Sequence, residues 1–418
     1  MSGRLPGWAQ WSGSNEYTLG AEEEVMLLNP HDWSLAQQID RVLPRLPQEL
    51  AAHVTRETHT SALELSTGVH GTPAGIAEEL MRLRLLLDRE LVALGLRAAV
   101  AGTHPSTVWH ETVVSGGPRY EAVYGSMREL ARREPTFGLH VHVGVRGPAE
   151  GIRLFNRMRV HLPLLLALSV NSPFWQGRDT GLASARTPLF QAFPRVGIPR
   201  AFPDYEDWVE AVDLLIRSDA FPEPTFLWWD VRPQPRFGTI EVRVLDAQTT
   251  IAETAALTAL VQSIARLEVE DGYVPASAIG AQEALEENRF IAARDGMQAR
   301  LIDPVGDRRV PAVELLADLV EACAPHAVAL GCDAELALVP AMAARTGAER
   351  QLALARDEGR LPGLVAGLAD RFLAVGLEPP IVLDETAALD EAAAALDAPS
   401  ADGPDPSAGL STYASGSE

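Results

Sequence analysis

Three short stretches of the chain carry side chains that do chemistry at a spacing of two. "FGLHVHVGV", residues 137–145, holds His140 and His142 in a run otherwise apolar or glycine. "TLGAEEEVMLL", residues 18–28, holds Glu22 and Glu24, and "TIEVRVLD", residues 239–246, holds Glu241 and Arg243. Side chains of a β-strand alternate between its two faces, so each pair shares a face and the apolar residues between them line the other. An ordinary solvated sheet face would mix Lys, Thr, Ser and Gln. This one carries carboxylates and imidazoles, which are metal ligands. "ETHTSALELSTG", residues 57–68, adds Glu57, and Glu64 between Leu63 and Leu65. Many carboxylates with one or two imidazoles suit a hard cation such as Mg²⁺ or Mn²⁺. Without cations the same cluster would repel itself. For any single strand a surface glutamate or a hydrogen-bonded histidine pair is an adequate reading; three strands with one asymmetry are much harder to explain that way.

Such strands need helices packed behind them. Residues 76–94, 120–133, 152–168, 204–217 and 251–268 have helical apolar spacing. Residues 96–105 read as a strand ending in a turn, residues 171–195 as a long Gly/Pro/Ser-rich loop, and the chain from Leu285 onward as helical. We expect a flexible N-terminal segment over residues 1–16, a single domain over 17–394, and a disordered acidic tail over 395–418.

Composition narrows the function classes. The chain has 418 residues and a formal net charge of −22, which opposes binding to nucleic acid. All of its 35 basic side chains are arginine. Without lysine neither a P-loop nor a Schiff-base enzyme can be built. The two cysteines, Cys323 and Cys332, match no zinc or redox spacing and read as buried thiols in a cytoplasmic protein. No signal-like N-terminus or membrane-length apolar run is present, so no membrane partner is expected. A homodimer is the expected assembly.

The stretches above, with "LALSVNSPFWQGRDTGLASARTPLF", "LWWDVRPQPRFGTIEVRVLD" and "ENRFIAARDG", resemble the type 2 glutamate–cysteine ligases. These carboxylate–amine ligases are a branch of the glutamine synthetase superfamily. The resemblance runs in order from about Tyr17 to about Leu377. It implies an α+β fold like the glutamine synthetase catalytic domain: a curved, mainly antiparallel sheet with one metal- and nucleotide-lined face and helices on the other. It also implies an ATP-dependent, ADP-forming enzyme that uses Mg²⁺ or Mn²⁺ to join an amino-acid carboxylate, expected to be the glutamate γ-carboxylate, to an amine, expected to be cysteine.

By the same resemblance, Glu22, Glu24, Glu57, Glu64, His140 and Glu241 are the expected metal ligands. His142 is expected to contact ATP or substrate, and Arg243 to bind phosphate. Arg186 and Arg243, with Glu241, are the expected catalytic groups, since guanidinium forks clamp phosphate. Arg232, Arg236, Asn288 and Arg289 are further candidates for the nucleotide, with a helix-start cap as the alternative for Asn288. Trp175, Ser184 and Arg119 are candidates for the amino-acid substrates, with core packing the alternative for Trp175 and a surface ion pair for Arg119. Two other functions compete: a metal-dependent hydrolase built on the H-x-H strand, and a non-catalytic nucleotide-binding relative.

Overall fold

The computed structural model describes residues 5–133 and 135–377. The expected acidic tail, 395–418, and the end of the expected 17–394 domain lie outside the described residues.

The fold is the expected α+β arrangement. Its centre is a seven-stranded sheet of β1 (Leu19–Leu28), β2 (Val54–Arg56), β3 (Ala62–Ser66), β4 (Arg97–Ala99), β5 (Gly138–Gly144), β6 (Val231–Gln234) and β7 (Thr239–Asp246). The order is β6-β7-β5-β1-β3-β2, with β4 also pairing β1, and every pairing is antiparallel. The period-two reading holds across the sheet. Leu139, Val141, Val143, Ile240, Val242 and Val244 are all buried on the packed side. Long helices cover that side: Pro73–Ala93, Pro148–Ser169 and Ile251–Glu270. Their starts are encoded locally. Thr72 caps the first with Pro73 in the first turn, and Thr250 forms a reciprocal capping box with Glu253 on the third.

The acidic run of β1 is split by the pleat. Glu23 points into the packed side, fully buried, and meets the equally buried Arg84 of the Pro73–Ala93 helix. The Arg84 guanidinium also donates to the carbonyls of Thr249, Phe372 and Gln248, at 2.9, 2.8 and 3.0 Å. A charge removed from water this completely is tolerated only when such partners satisfy it.

Three expectations need correction. Residues 285 onward are not all helical: Arg300–Asp303 and Arg308–Pro311 form an antiparallel hairpin, β8–β9. Its turn is fixed by Asp303, whose carboxylate accepts from the backbone of Val305 and Gly306. The helix expected over 120–133 ends at Met127 and continues as a 3₁₀ segment, Arg128–Arg132. Residues 5–16, expected to be flexible, are fastened down: Ala9 is fully buried and Trp11 packs edge-on against Tyr205. Cys323 and Cys332 are buried free thiols. No described helix is long and apolar enough to cross a membrane.

Candidate active site

The opposite face of the sheet forms the floor of a cavity of about 870 Å³. Strand register decides which groups meet there. Glu22 pairs with His140, Glu24 with Glu64, and Glu241 with His142. Glu22 Oε2 lies 3.2 Å from His140 Nδ1, and Glu22 Oε1 lies 3.3 Å from His142 Nε2. The other ring nitrogen of His142 sits 3.0 Å from the Thr239 hydroxyl, which fixes the ring. His142 Nε2 is buried between Glu22 Oε1 at 3.3 Å and Glu241 Oε1 at 4.0 Å. Glu57 follows β2 and is oriented by the backbone N–H of Thr58, which donates to its carboxylate at 2.9 Å.

Three sets of ligand atoms therefore converge, each within 4.8 Å: Glu22–Glu64–His140, Glu22–His142–Glu241 and Glu24–Glu57–Glu64. Each is rich in oxygen and carries at most one imidazole, the donor set that Mg²⁺ or Mn²⁺ takes. Electrostatics point the same way. Burial, reinforced by Glu24, pushes the Glu57 carboxyl up to about 7. Burial and its three carboxylate neighbours hold Glu64 well above the usual range. Burial would also raise Glu22, but the two imidazoles outweigh it and keep it ionised. A divalent cation would relieve the repulsion at the Glu57–Glu64 end, so the residues present fit such ions. The family resemblance implies different roles for His140 and His142; in space each stands among carboxylates, in a set of groups that could hold a metal ion.

The arginines differ in how free they are. Arg232 donates twice to Glu241 and also to the carbonyls of Thr225 and Leu227. It lines the cavity, but its guanidinium is committed to holding Glu241 rather than open to a nucleotide. Gln234, one pleat further along β6, donates to the same carboxylate at 2.7 Å. The alternation that marked the other strands would have found Gln234. The charges of Arg232 and Arg243, with the two imidazoles, outweigh burial and hold Glu241 well below the usual carboxylate range. Arg186 and Arg243 each keep a buried Nε–H without an acceptor among the described residues, and both line the cavity. Arg186 is steered by the carbonyls of Val244 and Arg243, each 3.2 Å away. It passes so close to β5 that a Cβ at Gly138 would stand 2.4 Å from its terminal nitrogen, which is why glycine opens that strand. A bulge between Val242 and Leu245 re-aims β7 beside it.

Arg236 also lines the cavity, beside Phe237. Arg119 reaches the rim, but its guanidinium is held by Glu223 and Thr225 at 2.6 and 2.9 Å, the ion-pair alternative. Three expected contacts lie away from the cavity lining. Ser184 is buried on Asp246, 3.0 Å away, and with Ser172 anchors the loop that carries Arg186. Trp175 belongs to a small hairpin, Phe174–Trp175 with Arg178–Asp179, away from the cavity lining. Asn288 both donates to and accepts from the backbone of Ile302, clasping β8. Arg289 is paired with Asp230 and Gln191 and lines a small pocket that it shares with Arg186 and Arg243.

Comparison with known proteins decides the family. The family model described as "Glutamate-cysteine ligase family 2(GCS2)" matches residues 18–365. The chain belongs to glutamate–cysteine ligase family 2. A family relative from Rubrobacter xylanophilus, named "Putative glutamate--cysteine ligase 2-1", is 41% identical over 371 residues, 88% of this chain and 97% of that protein. In fold, the chain is similar to a glutamate–cysteine ligase from Francisella tularensis in complex with AMP. That match has a TM-score of 0.62 at 13% identity and covers 92% of this chain and 95% of that one. A bifunctional glutathione synthetase from Pasteurella multocida gives a TM-score of 0.61 at 13% identity, covering 86% of this chain and 52% of the larger enzyme.

Proposed function

We propose that this family member is an ATP-dependent carboxylate–amine ligase, with glutamate and cysteine the first pair to test. The observation that carries the proposal is the convergence of Glu22, Glu24, Glu57, Glu64, His140, His142 and Glu241 on one wall, next to two guanidiniums with free N–H groups. A carboxylate does not condense with an amine at neutral pH, because oxide would have to leave. In the proposed reaction a substrate carboxylate oxygen attacks the γ-phosphorus of ATP and ADP departs. The amine then attacks the acyl carbon, phosphate leaves, the amine proton is lost and an amide remains.

Divalent cations held by the three carboxylate–imidazole sets would supply neutralisation of the phosphoryl oxygens. The chain's own groups do the rest. Arg186 and Arg243 aim N–H donors at the charge that builds on the transferring phosphoryl and acyl oxygens. Arg232 and Gln234 keep Glu241 ionised and in place. Thr239 fixes the His142 ring so that Nε2 faces Glu22.

The test is ADP release by the purified protein over a grid of acids and amines with Mg²⁺. The ligase reading predicts ADP that depends on both partners and is lost in Glu24→Gln. ADP formation indifferent to acid and amine, or a Glu24→Gln variant that turns over like the parent, would overturn it.

A further inference from the structure

Residues 7–12 precede the segment matched by the family model, yet Gly7, Trp8, Gln10 and Ser12 line the cavity. They form a strap with an anchor at each end. At one end Trp8 Nε1 donates to Asp213 at 3.1 Å, and the Ala9 carbonyl accepts from the Tyr205 hydroxyl at 2.7 Å. At the other, the Ser12 N–H donates to the Pro235 carbonyl at 2.8 Å, in the turn between β6 and β7. The strap presses so closely on that turn that a Cβ at Gly238, where φ is +66°, would lie 2.1 Å from the Ser12 carbonyl oxygen. Gln10 stands between the anchors, exposed, its side-chain amide without a hydrogen bond among the described residues.

The turn on which the strap is anchored presents Phe237, which is 52% exposed although it lies in the wall of the same cavity. Its ring is 5.9 Å from the His142 ring at 78°, and the Arg236 guanidinium lies 5.6 Å from its centroid. An aromatic face thus begins one ring away from the Glu22–His142–Glu241 set. The other end of the cavity is walled by Glu24, Glu57 and Glu64 and flanked by Arg186 and Arg243, groups suited to an acid and its phosphoryl donor. A flat aromatic ring stacks on a base, and a primary amide can donate and accept along a base edge at once.

We infer that the 7–12 strap and the β6–β7 turn form the nucleoside end of the nucleotide site, with Phe237 as the stacking face and Gln10 reading the base edge. This rests on the ligase reading, and the experiment separates the two. Titration calorimetry on the full-length protein with Mg²⁺ compares ATP with inorganic tripolyphosphate, which has the phosphates and no nucleoside. Both side chains are exposed, so Gln10→Ala and Phe237→Ala leave the fold intact. Each should weaken ATP binding roughly tenfold and leave tripolyphosphate binding unchanged. Unchanged ATP affinity, or parallel loss of both ligands, overturns the inference alone. A parent protein that takes up neither ligand overturns the ligase reading, and the inference with it.

Discussion

Glu22 Oε1 lies 3.3 Å from His142 Nε2 while the other oxygen of the same carboxylate lies 3.2 Å from His140 Nδ1. One side chain on β1 therefore bridges both histidines of β5, and it belongs to two of the three ligand sets.

Replacing Glu22 by glutamine keeps its shape and removes its charge. We expect turnover to fall by at least about 100-fold, the scale seen when one preorganised charge-stabilising group is lost. The thermal stabilisation given by Mg-ATP should vanish with it. Differential scanning fluorimetry with and without Mg-ATP checks this; a retained shift would remove Glu22 from the ion sites.

At a cation site Glu57 would make metal affinity depend on pH. Its carboxyl, pushed up to about 7 by burial and Glu24, starts from an ordinary value of 4.5. In cation-free protein the folded state between those values holds a proton that the unfolded chain has released. Its stabilising contribution is therefore complete below 4.5 and is lost as pH rises through about 7. A bound cation needs the ionised form, so metal affinity rises over the same window. The gap in melting temperature between samples with Mg²⁺ and with EDTA should widen from about pH 6 to about pH 8. A gap that is constant or narrows would contradict the placement of Glu57 at a cation.

Arg186→Lys tests the fork. An ammonium keeps the charge but cannot hold the Val244 and Arg243 carbonyls with the planar fork that the guanidinium uses. We expect a loss of roughly 2–4 kcal/mol in transition-state stabilisation, read as a drop in kcat with ATP affinity by calorimetry little changed. Weakened ATP affinity with kcat unchanged would mean that Arg186 supports binding only.

Arg84→Met strands the buried Glu23 carboxylate. Breaking such a pair costs about 3–5 kcal/mol, so the melting temperature should drop clearly. Adding Glu23→Gln to that variant should recover part of the loss. No recovery would mean that the carbonyl contacts of Arg84, rather than its ion pair, carry the stability.

Much of the site was legible because a strand's period of two needs no knowledge of its neighbours. β7 emerges with the same bounds in sequence and structure, and the polar pairs on β1, β5 and β7 lie on one face as their spacing requires. What escaped depends on contacts far along the chain. "ENRF" reads as polar residues on a helix, but the partners of Asn288 and Arg289 are 14 and 59 residues away. Ser184 reads as a loop hydroxyl open to substrate, yet Asp246, 62 residues on, draws it inward. The strap carries no periodic signal, and its Gly/Ser/Trp composition looks loose until Tyr205 and Pro235 are seen to hold it.

The Glu23–Arg84 contact has a consequence for how β1 chooses its alignment. Three identical side chains in a row leave the chain few means of telling which should face the cavity, since sliding by one residue still offers a carboxylate. Only one of the three, however, finds a guanidinium waiting beneath the sheet. A strand slipped by one residue would still bring a carboxylate to that guanidinium but would exchange one cavity acid for Ala21 or Val25, so the apolar residues that bound the run, together with the contact beneath the sheet, set the phase of the strand.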